Sequence, residues 1–394
     1  MSREAWDTLI VNAKVVTPDS VIPAGYAAVK DGKIEALGSM AELNEALAEA
    51  AGTKIDARGS WLLPGFIDVH VHGGYGSDFM DGTIESLENI TRFHSSHGTT
   101  TMLATTVTGS PEAIGQVLES VKAYREKGMP YAQLAGVHLE GPFISPKWPG
   151  AQNPNFIVTP KLDWVKEWTS RYPGLIRLVT LAPETEGALP VIAFLAGQGV
   201  VVACGHTDST YAQIGEAVKH GLSHAVHTFN AMKGLHHREP GVVGAVLTED
   251  KICAEVIADG HHVHLACIRL LTQTKRSDNL LLITDAMSAA GLGDGDFELG
   301  GLAVVVKDGV ARLRDGDSLA GSTLTMMGAF RFVVSTVGVS VEEASRMASW
   351  NPAKQLGLLE ETGSIETGKQ ADLLLVTPEL DLERVWVQGR ELPQ

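Results

Sequence analysis

The sequence predicts an α/β chain: a (β/α)8 barrel joined to a small β-sandwich domain assembled from both chain ends. Three observations carry this expectation. Apolar, β-branched runs alternate with segments of helical period through the middle of the chain, as in βαβ units with a buried parallel sheet. Ionisable residues sit at the ends of those runs, where barrel active sites lie. Both termini read as short strands, and neither is long enough to bury a core alone. Residues 1–62 and 358–394 are therefore assigned to the sandwich and 63–357 to the barrel.

At the N-terminus, TLIVNAKVVTP and YAAVKDGKIEALG run apolar or alternate, and Asp31-Gly32 is a two-residue hairpin signal. The Ala/Glu-rich stretch 40–51 reads as a helix. Eight strand candidates follow: WLLPGFIDVHV, TTTMLATT, QLAGVHLEG, IRLVTLAP, VVVACGH, HAVHTFN, CAEVIAD and LLLITDA. Several are continuous apolar runs, which suits strands covered on both faces. Segments such as PEAIGQVLESVKAYREKG and YAQIGEAVKHG supply the helices between them. A doubly wound sheet is the alternative, but HVHGGYGSD follows the first strand where a phosphate-binding GxGxxG is expected. Two Pro/Gly-rich connections, GPFISPKWPGAQNPNFIVTP and NAMKGLHHREPGVVGAV, read as binding loops. After the eighth strand, GLAVVVKDGVARLRDGD predicts a hairpin turning at Asp308-Gly309, with helices over 323–338 and 340–356. GSIETGKQADLLLV and ERVWVQG return to strand character.

Composition narrows the function classes. The 394 residues carry 31 Lys plus Arg against 47 Asp plus Glu, a formal net charge of −16, which argues against nucleic acid or an anionic membrane as partner. No apolar run reaches the roughly 18 residues of a membrane span. MSREAWDTLI has no signal-peptide pattern, so the expected compartment is the cytoplasm. Three cysteines, none in a CxxC pair, exclude a disulfide framework and a zinc ribbon.

Six ionisable residues fall at strand ends: His70 and His72 after the first, Glu140 after the third, His206 after the fifth, His227 after the sixth and Asp285 after the eighth. Such groups are costly to bury unless paired or bound to metal. Four imidazoles and a carboxylate make a nitrogen/oxygen set suited to zinc or ferrous iron. Asp285 is then the natural general base for a metal-bound water. Asp68 is expected behind a ligand, orienting it. His138 lies two residues before Glu140, on the same face, and is open between that supporting role and plain packing. Isolated histidines are more often surface or hydrogen-bonded core residues, and His94, His97, His220, His236, His237 and His264 are read so. Cys204 is read as a small buried hydrophobe.

Together, PGFIDVHVHG, the dispersed His, Glu, His, His, Asp set and the closing NPAKQLGL and GSIETGKQADLLLV resemble the amidohydrolase superfamily. HLEGPF, CGHTDSTY, HTFNAM, REPGVVGA, ADGHHVH, LLITDAM and LAGSTLTM resemble, more narrowly, its branch that deacetylates N-acetylglucosamine 6-phosphate, nearly end to end. The resemblance implies hydrolysis of that acetamide to glucosamine 6-phosphate and acetate. It implies Glu140, His206 and His227 as main metal ligands, with His70 and His72 offering a second site, so one or two divalent ions, zinc or iron. Asp285 matches the catalytic acid/base. Asn230, Ala231, Arg238, Asp259 and His262 match positions that hold the sugar phosphate; Ala151, Gln152, Leu319, Ala320, Gly321 and Ser322 match other substrate contacts. A homodimer is implied, with Arg238 and His262 near the subunit interface. Several relatives carry histidine where this chain has Gln152, and a glutamine donates a hydrogen bond but carries no charge. Two other readings stay open: an amidohydrolase acting on another N-acyl sugar or a cyclic amide, and a non-catalytic scaffold.

Overall fold

The computed structural model describes residues 6–275 and 278–393. Eight parallel strands stand side by side in chain order: Phe66–Asp68, Thr99–Thr106, Gln133–Glu140, Ile176–Leu181, Val201–Cys204, Leu222–Ala225, Cys253–Ile257 and Leu280–Ile283. The eighth returns to the first through three backbone bonds, Asp285 N to His70 O at 2.9 Å and both His72 N and Gly73 N to Ala286 O at 2.8 and 2.9 Å. Asp68 reinforces this seam, its carboxylate accepting from Thr284 Oγ1 at 2.5 Å and from the His70 amide at 3.2 Å. The (β/α)8 barrel is thus formed as the apolar runs predicted.

Inside the barrel, Ile67, Leu103, Leu178, Ala203, Cys253, Ile257, Leu281 and Ile283 form one cluster, closed at the end away from the site by Ala353 and Leu356. Each such aliphatic side chain contributes about 1.5–3 kcal/mol by leaving water. Cys204 faces the other way, among the residues beneath the surrounding helices. The helix Pro111–Lys127 shows how that layer is built. Ser110 caps it by accepting from Ala113 N, Pro111 occupies the first turn, and Ile114, Val117, Leu118 and Val121 recur at helical spacing on its buried face.

The chain ends build a second sheet from Thr8–Val16, Val21–Lys30, Lys33–Ser39, Thr53–Asp56, Trp61–Pro64, Leu373–Val376, Leu382–Val387 and Arg390–Glu391. It curls until the edge strand Lys33–Ser39 reaches the segment leading into Leu373–Val376: Ile34 N donates to Lys369 O, and Ile34 and Trp386 lie in the same core. Asp31-Gly32 turns a hairpin with φ of 50° and 77°, as the dipeptide predicted.

Two local expectations need correction and a third is extended. WLLPGFIDVHV is not one strand; it divides at Gly65, where Trp61–Pro64 belongs to the end sheet and Phe66–Asp68 to the barrel. A Cβ on Gly65 would lie 2.1 Å from Thr100 Oγ1, so only glycine lets the chain pass between the two sheets. The expected hairpin at Asp308-Gly309 forms, Leu302–Lys307 pairing with Val310–Leu313, and Gly295–Leu299 adds a third strand through a further turn at Gly300-Gly301, with φ of 57° and 80°. The helix expected over 340–356 is three pieces, Val341–Ser345, a π turn at Arg346–Trp350 and Asn351–Gln355. Among the described residues no helix is long and apolar enough to cross a membrane.

Candidate functional site

All six strand-end residues converge at one end of the barrel. Glu140 closes the third strand and is 1% exposed; its Oε1 lies 2.9 Å from His227 Nε2, 3.2 Å from His206 Nε2 and 3.3 Å from His70 Nε2. Its Oε2 lies 3.3 Å from His72 Nε2 and accepts from Gln152 Nε2 at 2.6 Å. Asp285 Oδ1 lies 3.1 Å from His72 Nε2 and 3.6 Å from His70 Nε2. Three of the six, His206, His227 and Asp285, have φ of 47°, 28° and 50°. Side chains rarely adopt that left-handed backbone, which costs about 1–3 kcal/mol per residue, and here it turns each side chain over the barrel mouth.

The hydrogen bonds settle which imidazole nitrogens face the centre. His206 Nδ1 meets Trp148 O at 2.9 Å and His227 Nδ1 meets Asn230 O at 3.2 Å. A carbonyl only accepts, so both Nδ1 atoms carry hydrogen and, in the neutral rings, both Nε2 atoms present lone pairs. Those Nε2 atoms are 3.1 Å apart. Two lone pairs so close repel unless a cation lies between them. His70 Nε2 is buried and makes no hydrogen bond. Burial opposes a charge on His72, yet Asp285 and Glu140 beside it push its pKa up to about 10; carboxylates that favour a proton there favour a metal ion in its place. Two ligand groups result, His70 with His72 and Glu140, and Glu140 with His206 and His227, each able to hold a metal ion and sharing the one carboxylate.

The centre lies in the floor of a cavity of about 390 Å³. Ala151, Gln152, Asn230, Ala231, His262, Leu319 and Gly321, all named from the sequence, line it, together with Lys147, Trp148 and Leu299, which were not singled out. Asp259 stands behind His262, accepting from its Nδ1 at 2.7 Å and from its backbone amide at 2.9 Å. Three expected substrate contacts are elsewhere. Arg238 is exposed beside His237, outside the cavity lining. Ala320 packs into the cluster with Met287, Leu299 and Val304. The Ser322 hydroxyl donates to Thr284 O, holding the segment against the eighth strand.

Asp68 and His138 stand behind His70 in different ways. Asp68, with its pKa pushed up to about 7 by burial, binds the His70 backbone and Thr284 and leaves the His70 ring alone. His138 packs edge-on against that ring, centroids 4.6 Å apart, while its own Nε2 meets Thr180 Oγ1 at 2.8 Å. The ring is oriented by Glu255, whose Oε2 meets His70 Nδ1 at 2.8 Å. The sequence carried a signal for Glu255: it is the one carboxylate inside the apolar run CAEVI. Of the histidines set aside, His94, His97 and His220 bond backbone carbonyls and His236 and His237 are exposed.

Residues 61–392 match the model of the amidohydrolase family. An N-acetylglucosamine-6-phosphate deacetylase of Bacillus subtilis is 40% identical over 382 residues, covering 96% of this chain and 95% of its own. An N-acetylgalactosamine-6-phosphate deacetylase of Escherichia coli O157:H7 is also 40% identical, covering 84% and 87%. Among solved structures, a variant N-acetyl-D-glucosamine-6-phosphate deacetylase of Mycobacterium smegmatis, in complex with N-acetyl-D-glucosamine-6-phosphate, superposes with a TM-score of 0.91 at 34% identity over 98% of both chains.

Proposed function

The chain belongs to the amidohydrolase family, and from that premise and the geometry of the barrel mouth we infer that it hydrolyses the acetamide of N-acetylglucosamine 6-phosphate to glucosamine 6-phosphate and acetate. The observation that carries the reading is the Glu140 carboxylate shared by two imidazole pairs, with Asp285 3.1 Å from His72 at the cavity floor.

Glu140, His206 and His227 would hold one divalent ion and Glu140, His70 and His72 a second; the nitrogen and oxygen donors suit zinc or ferrous iron. Bound there, the metal supplies an activated water and polarises the acetamide carbonyl. Asp285 takes the proton from the attacking water and returns it to the departing amine, which is otherwise too basic to leave. Gln152, fixed by Thr108 N at 2.6 Å, holds Glu140 Oε2 in place. His262, steadied by Asp259, and Asn230 and Ala231 bind the sugar phosphate; Ala151, Leu319 and Gly321 shape the pocket around the acetamide. Arg238 serves the phosphate in a homodimer, near the subunit interface with His262. Its exposure and that of Leu235, 58% accessible on the same loop, support a surface covered by a second copy. The net charge of −16 supports a small-molecule substrate over nucleic acid, and a reduced cytoplasm is the compartment we assign.

A second reading is the galactosamine epimer, favoured by the equally similar relative that deacetylates it. Acetate release from N-acetylglucosamine 6-phosphate, its galactosamine epimer and unphosphorylated N-acetylglucosamine tests both. The expected order puts the first substrate fastest by kcat/KM; preference for the epimer would replace the reading, and no release from any would overturn it.

A further inference from the structure

Below the cluster lies a carboxylate that the reaction does not use. Glu255 stands in the middle of the seventh strand, Cys253–Ile257, with no accessible surface. Its Oε2 meets His70 Nδ1 at 2.8 Å and the His227 amide at 3.1 Å; its Oε1 meets His224 Nε2 at 2.9 Å. No lysine or arginine is among these partners. A carboxylate placed so deep is costly unless its charge is matched nearby.

Two consequences follow from the geometry. An ionised carboxylate only accepts, so His70 carries its hydrogen on Nδ1 and turns a free Nε2 lone pair toward Glu140 and Asp285. The negative charge also sits one imidazole away from where an ion held by His70 and His72 would be. The rings of the other pair, His206 and His227, are oriented by backbone carbonyls instead.

We propose that Glu255 is the positioning residue for the His70/His72 half of the metal centre, fixing the His70 ring and supplying the buried charge that lets a second cation sit beside the first. This rests on the reading that the cluster holds metal. Glu255→Gln removes the charge and keeps the shape. Its oxygen can still accept from His70 and the His227 amide, and its amide can donate to His224, whose unpartnered Nδ1 is free to take the ring hydrogen.

The test measures zinc stoichiometry and affinity by elemental analysis and chelator competition, with circular dichroism to monitor folding and acetate release recorded separately. The wild-type chain is expected to hold two zinc ions. In Glu255→Gln the second binds about 10–100-fold more weakly and the first is unchanged, the usual scale when a ligand loses its orienting partner. Should Glu255→Gln not fold, Glu255→Asp, which keeps the charge but withdraws it from His70, is expected to weaken the second ion alone. A wild-type chain that holds one ion, a variant that binds both as tightly as wild type, or one that loses both together overturns the proposal. Two tightly held ions with no acetate release would instead overturn the reaction and leave this assignment standing.

Discussion

On one side of Glu140, His206 and His227 are steadied by the carbonyls of Trp148 and Asn230, in the two irregular loops that also line the cavity. On the other side, His70 is steadied by Glu255, a side chain sealed within the barrel, and His72 Nδ1 has no hydrogen-bond partner. The two halves share a carboxylate but answer to different parts of the molecule. The rings of the first are held by loop carbonyls, so a shift of residue 148 or 230 would turn one of them. The His70 ring is held from within the strands, by a residue that also accepts from the His227 amide.

Glu140→Gln strikes both halves at once and is expected to have the largest effect: loss of both ions by elemental analysis and a fall in kcat/KM on the order of a thousandfold or more. Retention of either ion at wild-type affinity would show that the carboxylate is not shared. Asp285→Asn touches the chemistry without emptying either half, so turnover should drop about 10²–10⁴-fold while metal content stays that of wild type; unchanged turnover would remove Asp285 from its role. Gln152→Ala frees Glu140 Oε2, the oxygen nearest His72, and should weaken the second ion by about 10–100-fold while the first holds. An equal loss from both sites would mean that Gln152 acts on the carboxylate as a whole.

A carboxylate far from the centre sharpens the contrast and should not alter turnover. Asp372, in the end sheet, is buried with only neutral donors, Thr362 Oγ1 at 2.7 Å and Gln388 N at 2.8 Å, and burial pushes its pKa up to about 6. Because the folded value lies above the ordinary 3.8, its favourable contribution is present below about pH 4 and is lost as pH rises through 6. Denaturant unfolding at pH 4 and pH 7 should show Asp372→Asn gaining roughly 2 kcal/mol on wild type between the two. Parallel curves would mean that Asp372 is not held neutral by its surroundings. Glu140, facing imidazoles instead, is held well below the usual carboxylate range despite burial.

Much of this was legible in the chain. The barrel followed from continuous apolar runs, since strands covered on both faces need no alternation. The convergence of six ionisable residues at the barrel mouth followed from their places at the ends of those runs. What was not legible has physical causes. Gly65 divides one apolar run between two sheets, and nothing local distinguishes that from a single strand, because the obstacle is Thr100. Glu255 lies mid-strand, away from the ends where active-site residues are sought, although a lone carboxylate in an apolar run was itself a warning. Ala320 and Ser322 sit beside Leu319 and Gly321 in sequence, but Ala320 packs into an apolar cluster and the Ser322 hydroxyl is taken by Thr284 O, so neither lines the cavity with Ser318, Leu319 and Gly321.

The account stands or falls on cations gathered at the barrel mouth. Crystals grown with zinc, measured at the zinc absorption edge, test this most directly. The anomalous map should place one peak about 2.0–2.2 Å from His206 Nε2, His227 Nε2 and Glu140, and another among His70, His72 and Glu140. A map without density between His206 and His227, in protein that still releases acetate, would contradict it.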